Sequence, residues 1–315
     1  MEENRKRHEI INAPYNPVTG LGAVGERKKI SIKDSPIGDM YLPVELIKEN
    51  LFIRRLAKYG FKGYIIRFIK EVEYSEEALN QLWIEFIKYR IIYDFEYWAY
   101  SFIFIKDKVS PKDIPFKLNR AQRRVLNKLE KLRKAGKPIK FILLKARQWG
   151  GSTLVQIYML WIMLVHRRNW NTVICGDVET QSRNVRAMIT KALNKYPSYL
   201  LGETVKFTPF EGSSKNKVIQ NTNCVVSIGS FQKPDTLRSG DISGAHLTEI
   251  GLWRATPGKK PEDLIQSISG SIYDTAYTIL GLESTAKGVG NFFHRTWQQA
   301  VKGKNNLLPI FVAWF

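Results

Sequence analysis

The segment Lys145-Ala146-Arg147-Gln148-Trp149-Gly150-Gly151-Ser152-Thr153 constrains this chain more than any other. It follows a short apolar run, KFILLK (140–145), and opens a long one from Ser152 to Arg168. A buried strand, a glycine turn and a buried helix, in that order, are the context of a phosphate-cradling loop. Gly150 and Gly151 let the backbone approach phosphate oxygens. The helix start adds unpaired N–H groups and the positive end of its dipole. Ser152 or Thr153 can offer a hydroxyl to Mg2+, and Gln148 and Trp149 complete the loop around a nucleotide. The spacing departs from G-x-x-x-x-G-K-[ST]: Lys145 stands at the first glycine, and Gly151 at the lysine. A cation is still needed against the β- and γ-phosphate charge. Lys145 and Arg147, at the start of the loop, are the two candidates.

The loop sits in an alternating pattern. NTVICG (171–176) is strand-like and Thr180 to Tyr196 helix-like; KVIQ and CVVSIG flank Asn221-Thr222-Asn223 as a hairpin. GAHLTEI is a strand, Pro261 to Tyr273 a helix, AYTILGLES a strand, Asn291 to Val301 a helix and LLPIFVAWF a last strand. Such alternation predicts an α/β fold, a mostly parallel sheet wrapped by helices. Breaks at Ser110-Pro111 and Ile114-Pro115 separate this domain, 114–315, from a helical, aromatic region over 41–113. Residues 1–40, polar and rich in Gly and Pro without a period, are expected to form a flexible arm.

Composition narrows the partners. Of 49 Lys/Arg and 29 Asp/Glu, residues 1–113 hold 19 and 17, a net of +2; residues 114–315 hold the remaining 30 and 12, a net of +18. That field attracts polyanions and points to nucleic acid. Two cysteines, Cys175 and Cys224, make no disulfide framework, and four histidines without ligand spacing make no zinc site. The opening MEENRKRHEI is charged throughout, unlike a secretory signal. The run Ile157 to Val165 is shorter than the ~20 residues a membrane span requires, so it is read as a buried helix and no membrane partner is expected.

With its cation at the start, KARQWGGST resembles the loop of the large terminase subunits of tailed double-stranded DNA bacteriophages, [KR]-x-R-Q-x-G-x-[ST]-[ST]. Further segments agree in order. IPFKLNRAQRRVL (114–126) is similar to the family's adenine-recognition segment, with Gln122 as the adenine partner and Phe116 packing nearby. GDVETQSRNVR (176–186) resembles the strand-to-helix segment shared with helicase-like ATPases. TLRSGDISGAHLTEIGLW (236–253) looks like the strand that holds Mg2+ and orients the attacking water. The family usually ends that strand in Asp-Glu, whereas this chain has Thr248-Glu249. The resemblance makes Glu249 the general base or water-positioning residue. It leaves Mg2+ to Ser152 or Thr153, since Thr248 replaces the usual aspartate. Arg238 occupies the place of an arginine that reaches the neighbouring subunit's nucleotide. GLESTAKGVGNFFHRTW (281–297) looks like the coupling motif, with Ser284, Thr285 and Ala286 sensing the γ-phosphate.

The resemblance covers roughly residues 94–315. It implies a P-loop NTPase of the additional-strand, RecA/helicase-like type that uses ATP and Mg2+ to drive double-stranded DNA into a procapsid. The implied partners are the portal protein, the small terminase subunit and further copies of the chain in a ring, a pentamer in the family. The implied location is the host cytoplasm, at the procapsid. Complete large subunits also carry a nuclease domain built on clustered carboxylates. With 12 acids in 114–315, no such cluster is expected here, and the chain is read as a motor without DNA cleavage. Two other functions are consistent with the residues. One is a helicase-like translocase; the other is a degenerate P-loop scaffold that binds nucleotide or DNA without turnover.

Overall fold

A computed structural model describes residues 13–69, 74–107, 109–233, 237 and 241–313. The chain divides into two compact units, Met1–Arg123 with Lys195–Thr204, and Arg124–Asn194 with Val205–Phe315.

The first unit begins with an antiparallel hairpin, β1 (Arg27–Ser31) and β2 (Asp39–Pro43), paired Arg27 to Pro43 through Ser31 to Asp39. Four helices follow: α1 (Val44–Glu49), α2 (Leu51–Phe68), α3 (Glu76–Tyr93) and α4 (Phe95–Phe102). Side-chain caps set the starts of the last three. Asn50, Ser75 and Asp94 accept from the backbone N–H groups of Ile53, Ala78 and Tyr97. Gly60 interrupts α2 with φ 72°, and a Cβ there would lie 2.9 Å from the Lys33 carbonyl oxygen, so only glycine fits. A short hairpin, β3 (Phe104–Lys106) and β4 (Asp113–Pro115), closes the region.

The flexible arm expected over 1–40 does not hold for 13–40. Met40 and Ile32 are buried, and Arg27 forms a fork onto Asp94 with both contacts at 2.9 Å. Arg90, itself buried, donates to the same carboxylate at 3.1 Å. Polar, glycine-rich sequence has no period to announce such a hairpin; a buried ion pair 67 residues away in sequence holds it. Burial would raise the Asp94 pKa, but Arg27 and Arg90 outweigh it and hold the carboxyl below its usual range. Its contribution is therefore present above the unfolded-state value of about 4 and lost as pH falls below it. Asp94→Ala is expected to cost about 3–5 kcal/mol, because Arg90 stays buried without its carboxylate and Arg27 keeps only the longer carboxylate contact to Glu96 at 3.7 Å. Urea unfolding checks this, and a loss of only the ~1 kcal/mol of an exposed ion pair would contradict it.

The unit boundary also differs from the break expected at 113/114. It falls inside helix α5 (Arg120–Lys134), and residues 195–204 join the first unit. There Lys195 pairs with Asp113 at 2.7 Å, and Tyr196 accepts from the Trp98 indole at 2.9 Å.

The second unit is built on an eight-stranded sheet. Its strands are β5 (Ile139–Lys145), β6 (Thr172–Gly176), β7 (Phe207–Phe210), β8 (Ser213–Ile219), β9 (Cys224–Ser230), β10 (Gly244–Thr248), β11 (Ile279–Ser284) and β12 (Leu308–Val312). Their spatial order is β12-β5-β11-β10-β6-β9-β8-β7. Pairing is parallel from β12 to β9, and β8 runs antiparallel to both of its neighbours. The additional strand β11 lies between the loop strand β5 and β10, so the fold is α/β, with the strand arrangement of the additional-strand P-loop fold. Parallel strands covered on both faces read as apolar runs, which is how the centres of β5 (FILL) and β6 (VIC) stand in the sequence.

Helices α6 (Gly151–Trp161), α7 (Glu179–Asn194), α9 (Pro261–Gly270) and α10 (Phe292–Val301) flank the sheet; a π turn, Ile162–His166, extends α6, and a short α8 (Ser198–Leu201) lies in the first unit. Ile142, Val173, Cys175, Ala245, Leu247, Leu280 and Leu282 form one face and pack with Leu264, Ile268, Phe293 and Ala300. Strand side chains alternate, so Lys145, His246, Thr248 and Glu283 share the opposite face. The apolar run Ile157–Val165 is spent in α6 and its π turn. Among the described residues no helix is long and apolar enough to cross a membrane. Cys175 and Cys224 are both buried free thiols.

Candidate nucleotide site

The loop leaves β5 at Lys145 and turns into α6 through two left-handed residues, Gln148 (φ 65°) and Gly150 (φ 82°). No side chain caps α6, so its first-turn N–H groups and dipole face the loop, as anion binding requires. Gly151 is buried against the Trp149 indole: a Cβ there would lie 2.6 Å from Cζ2. The ring thus occupies the space a lysine at 151 would need, and the cation has to come from elsewhere.

Lys145 is buried at the end of β5. Its Nζ lies 3.1 Å from Glu249 Oε1 and 3.3 Å from Glu283 Oε1. Burial opposes the ammonium charge, but Glu283 and Glu249 outweigh it and raise the Lys145 pKa. Arg147, the other candidate, is exposed.

Glu249 follows β10 with φ 58° and ψ 35°. A left-handed backbone costs a non-glycine residue roughly 1–2 kcal/mol, and such strain gathers at functional positions. The turn directs the carboxylate toward Lys145, and Oε2 lies 3.5 Å from the Thr285 hydroxyl. Ser284, buried at the end of β11, accepts from the Gly251 N–H at 2.9 Å. Two of the three proposed coupling residues therefore touch the Glu249 turn; Ala286 is exposed.

Glu283, which sequence reasoning did not single out, is the centre of this cluster. It is fully buried at a register position beside Thr248. Its Oε1 accepts from the Ser152 hydroxyl and, at 2.9 Å, from the Thr248 hydroxyl. Oε2 lies 3.2 Å from His246 Nε2. Burial alone would raise its pKa, but His246, Lys145 and Ser152 outweigh that and hold the carboxyl at about 2. The available signal was a lone acid in the apolar strand ILGLES, directly before Ser284-Thr285.

Thr153 lines a cavity of about 290 Å3 with Ser152, Gln156, Gln181, Asn184, Thr248 and Glu249. Among the described residues no trio of His, Cys, Asp or Glu is arranged to hold a metal; oxygen donors near Ser152 are hydroxyls and the two glutamates. That set suits Mg2+, which takes few protein carboxylates and completes its shell with water and phosphate.

Gln122 and Phe116 belong to the first unit, where both are buried. Asn119 and Gln122 form a reciprocal cap at the start of α5: Gln122 N–H donates to Asn119 Oδ1 at 2.8 Å, and Asn119 N–H to Gln122 Oε1 at 2.9 Å. Phe116 is placed by its N–H on the Ile103 carbonyl at 2.8 Å. Arg238 lies outside the described residues.

No protein-family model matches the chain, and no curated protein is similar to it in sequence. Its structure is similar to the large terminase of bacteriophage HK97, with a TM-score of 0.55 and 20% identity over 72% of this chain and 43% of that one. It is also similar to the large terminase of a thermophilic bacteriophage in complex with ADP, with a TM-score of 0.43, 14% identity, and coverage of 62% and 45%. The large terminase ATPase domain of a Thermus phage gives 0.36 and 13% over 53% and 68%. The fold is thus that of the matching part of the HK97 protein, and the chain spans less than half of that protein's length.

Proposed function

We propose that this chain is the ATP-hydrolysing motor of a viral DNA-packaging enzyme of the large terminase kind. The observation that carries the proposal is the meeting of Lys145, Ser152, Glu249 and Glu283 at the mouth of a P-loop, in an additional-strand fold shared with the HK97 large terminase.

The residues divide the work of phosphoryl transfer, which is mainly positioning and charge stabilisation. The N–H groups of the loop and α6 hold the phosphates, and Lys145 offsets their charge. The Ser152 and Thr153 hydroxyls would hold Mg2+ brought in with ATP, which would supply positive charge against the phosphates. Glu249 orients the attacking water and takes up its proton. Ser284 and Thr285, hydrogen-bonded to the Gly251–Glu249 turn, transmit loss of the γ-phosphate to β11 and its following loop. Arg147 joins the phosphate contacts, and Arg238 acts on the neighbouring subunit's ATP in a ring. The net +18 of residues 114–315 supports duplex DNA as the translocated partner, held through phosphates. Portal protein and small terminase subunit complete the assembly at the procapsid.

The test is steady-state ATP hydrolysis against protein concentration, with and without duplex DNA, for the native chain and Arg238→Ala. The expected result is a rate per subunit that rises with concentration and falls by about 10³-fold or more in the variant, the range of an arginine finger. Nucleotide binding with no turnover under any of these conditions would select the scaffold, which Gly151 and Thr248 favour.

A further inference from the structure

Position 248 poses a problem for the nucleotide site. P-loop NTPases hold Mg2+ with the loop Ser/Thr and an aspartate at the end of the neighbouring acidic strand. Here that strand, β10, ends in Thr248, whose hydroxyl cannot supply charge. The adjacent strand supplies it instead. Thr248 pairs with Glu283 in the parallel register of β10 and β11, and β11 lies between β10 and the loop strand β5. A carboxylate on this middle strand reaches both sides at once. Its Oε1 accepts from Ser152 Oγ on the loop side and from Thr248 Oγ1, at 2.9 Å, on the other.

We infer that Glu283 is the metal-side carboxylate of this site, moved across one strand from position 248. The inference rests on the nucleotide-binding part of the function proposed above. Three observations support it. Glu283 engages the Ser152 hydroxyl, the group that faces Mg2+ in a P-loop. Its burial is complete, and an acid is held there at the cost of desolvation only where partners offset it. The Lys145 ammonium already sits 3.1 Å and 3.3 Å from Glu249 and Glu283, so this face of the sheet is built to hold positive charge between two carboxylates. Thr248 changes from a ligand into a donor that fixes the orientation of the relocated carboxylate. Glu283 itself acts as a positioning residue for the metal, through Ser152.

The test is Mg2+ titration of fluorescent-ATP binding, read as the ratio of affinities with and without metal, together with Mn2+ binding by electron paramagnetic resonance. The native chain, Glu283→Gln, and Glu283→Gln with Thr248→Asp are compared. The expected result is a metal half-saturation about 10–100-fold weaker in Glu283→Gln, the usual effect of removing a group that orients a metal ligand. Thr248→Asp, by returning the acid to β10, should recover most of it. Should Glu283→Gln fail to fold, Glu283→Asp keeps the charge but withdraws it from Ser152, and should weaken the metal in the same direction. Unchanged metal dependence in both variants, with ATP bound, would overturn the inference and leave the nucleotide reading standing. A native chain that binds no ATP at any metal concentration would overturn both.

Discussion

Glu249→Gln is expected to lower ATP turnover by about 10²–10⁴-fold, the usual loss when a general base is removed, while ATP still binds. Glutamine matches the size of glutamate and can still accept from the Thr285 hydroxyl, which lies 3.5 Å from Oε2. It also inherits the same left-handed turn at φ 58°. What it cannot do is take a proton from water. Single-turnover hydrolysis with a parallel binding titration separates the two effects. A variant that binds ATP and turns it over at the native rate would remove Glu249 from the mechanism and leave Glu283 as the remaining acid beside Lys145.

Lys145→Met should act on both binding and stability. Methionine fills the space but leaves Glu283 buried without its ammonium, and breaking a buried pair in this way costs about 3–5 kcal/mol. The pH dependence identifies the cause. In the native chain Glu283 is held at about 2, below the unfolded-state value of about 4.3. Its contribution is then present above pH ~4.3 and lost as pH falls toward 2. In the variant the carboxyl loses a cation that lowers its pKa, so protonation relieves the unpaired charge. The deficit relative to the native chain should be largest near neutral pH and shrink in acid. Chemical denaturation at several pH values measures it; a deficit that stays constant with pH would mean lost packing rather than lost charge. ATP affinity should fall in the same variant, and an unchanged affinity would pass the phosphate role to Arg147.

Much of the second unit was legible in its sequence. Apolar runs such as FILL and VIC became the centres of β5 and β6, because strands covered on both faces carry no polar alternation. Asn221-Thr222-Asn223 marked the hairpin between β8 and β9. Other features were hidden. The 13–40 segment carries no period, and the Arg27–Asp94 fork that orders it joins residues far apart in the chain. Lys195 and Tyr196 read as the end of the helix-like run Thr180–Tyr196 until they are seen to bond Asp113 and Trp98.

By itself, the sequence determined the elements and the loop. Apolar period, glycine placement and strand-loop-helix order are local, and a local pattern suffices to make a strand, a turn or a helix start. It also showed that Gly151 and Thr248 depart from the common motif. Only the tertiary structure decided how those departures are met. Trp149 fills the space beside Gly151, Lys145 supplies the cation, and Glu283 stands beside Thr248. The physical reason is that strand order and register are collective. The Ser152–Glu283 contact spans 131 residues and exists only because β11 packs between β5 and β10.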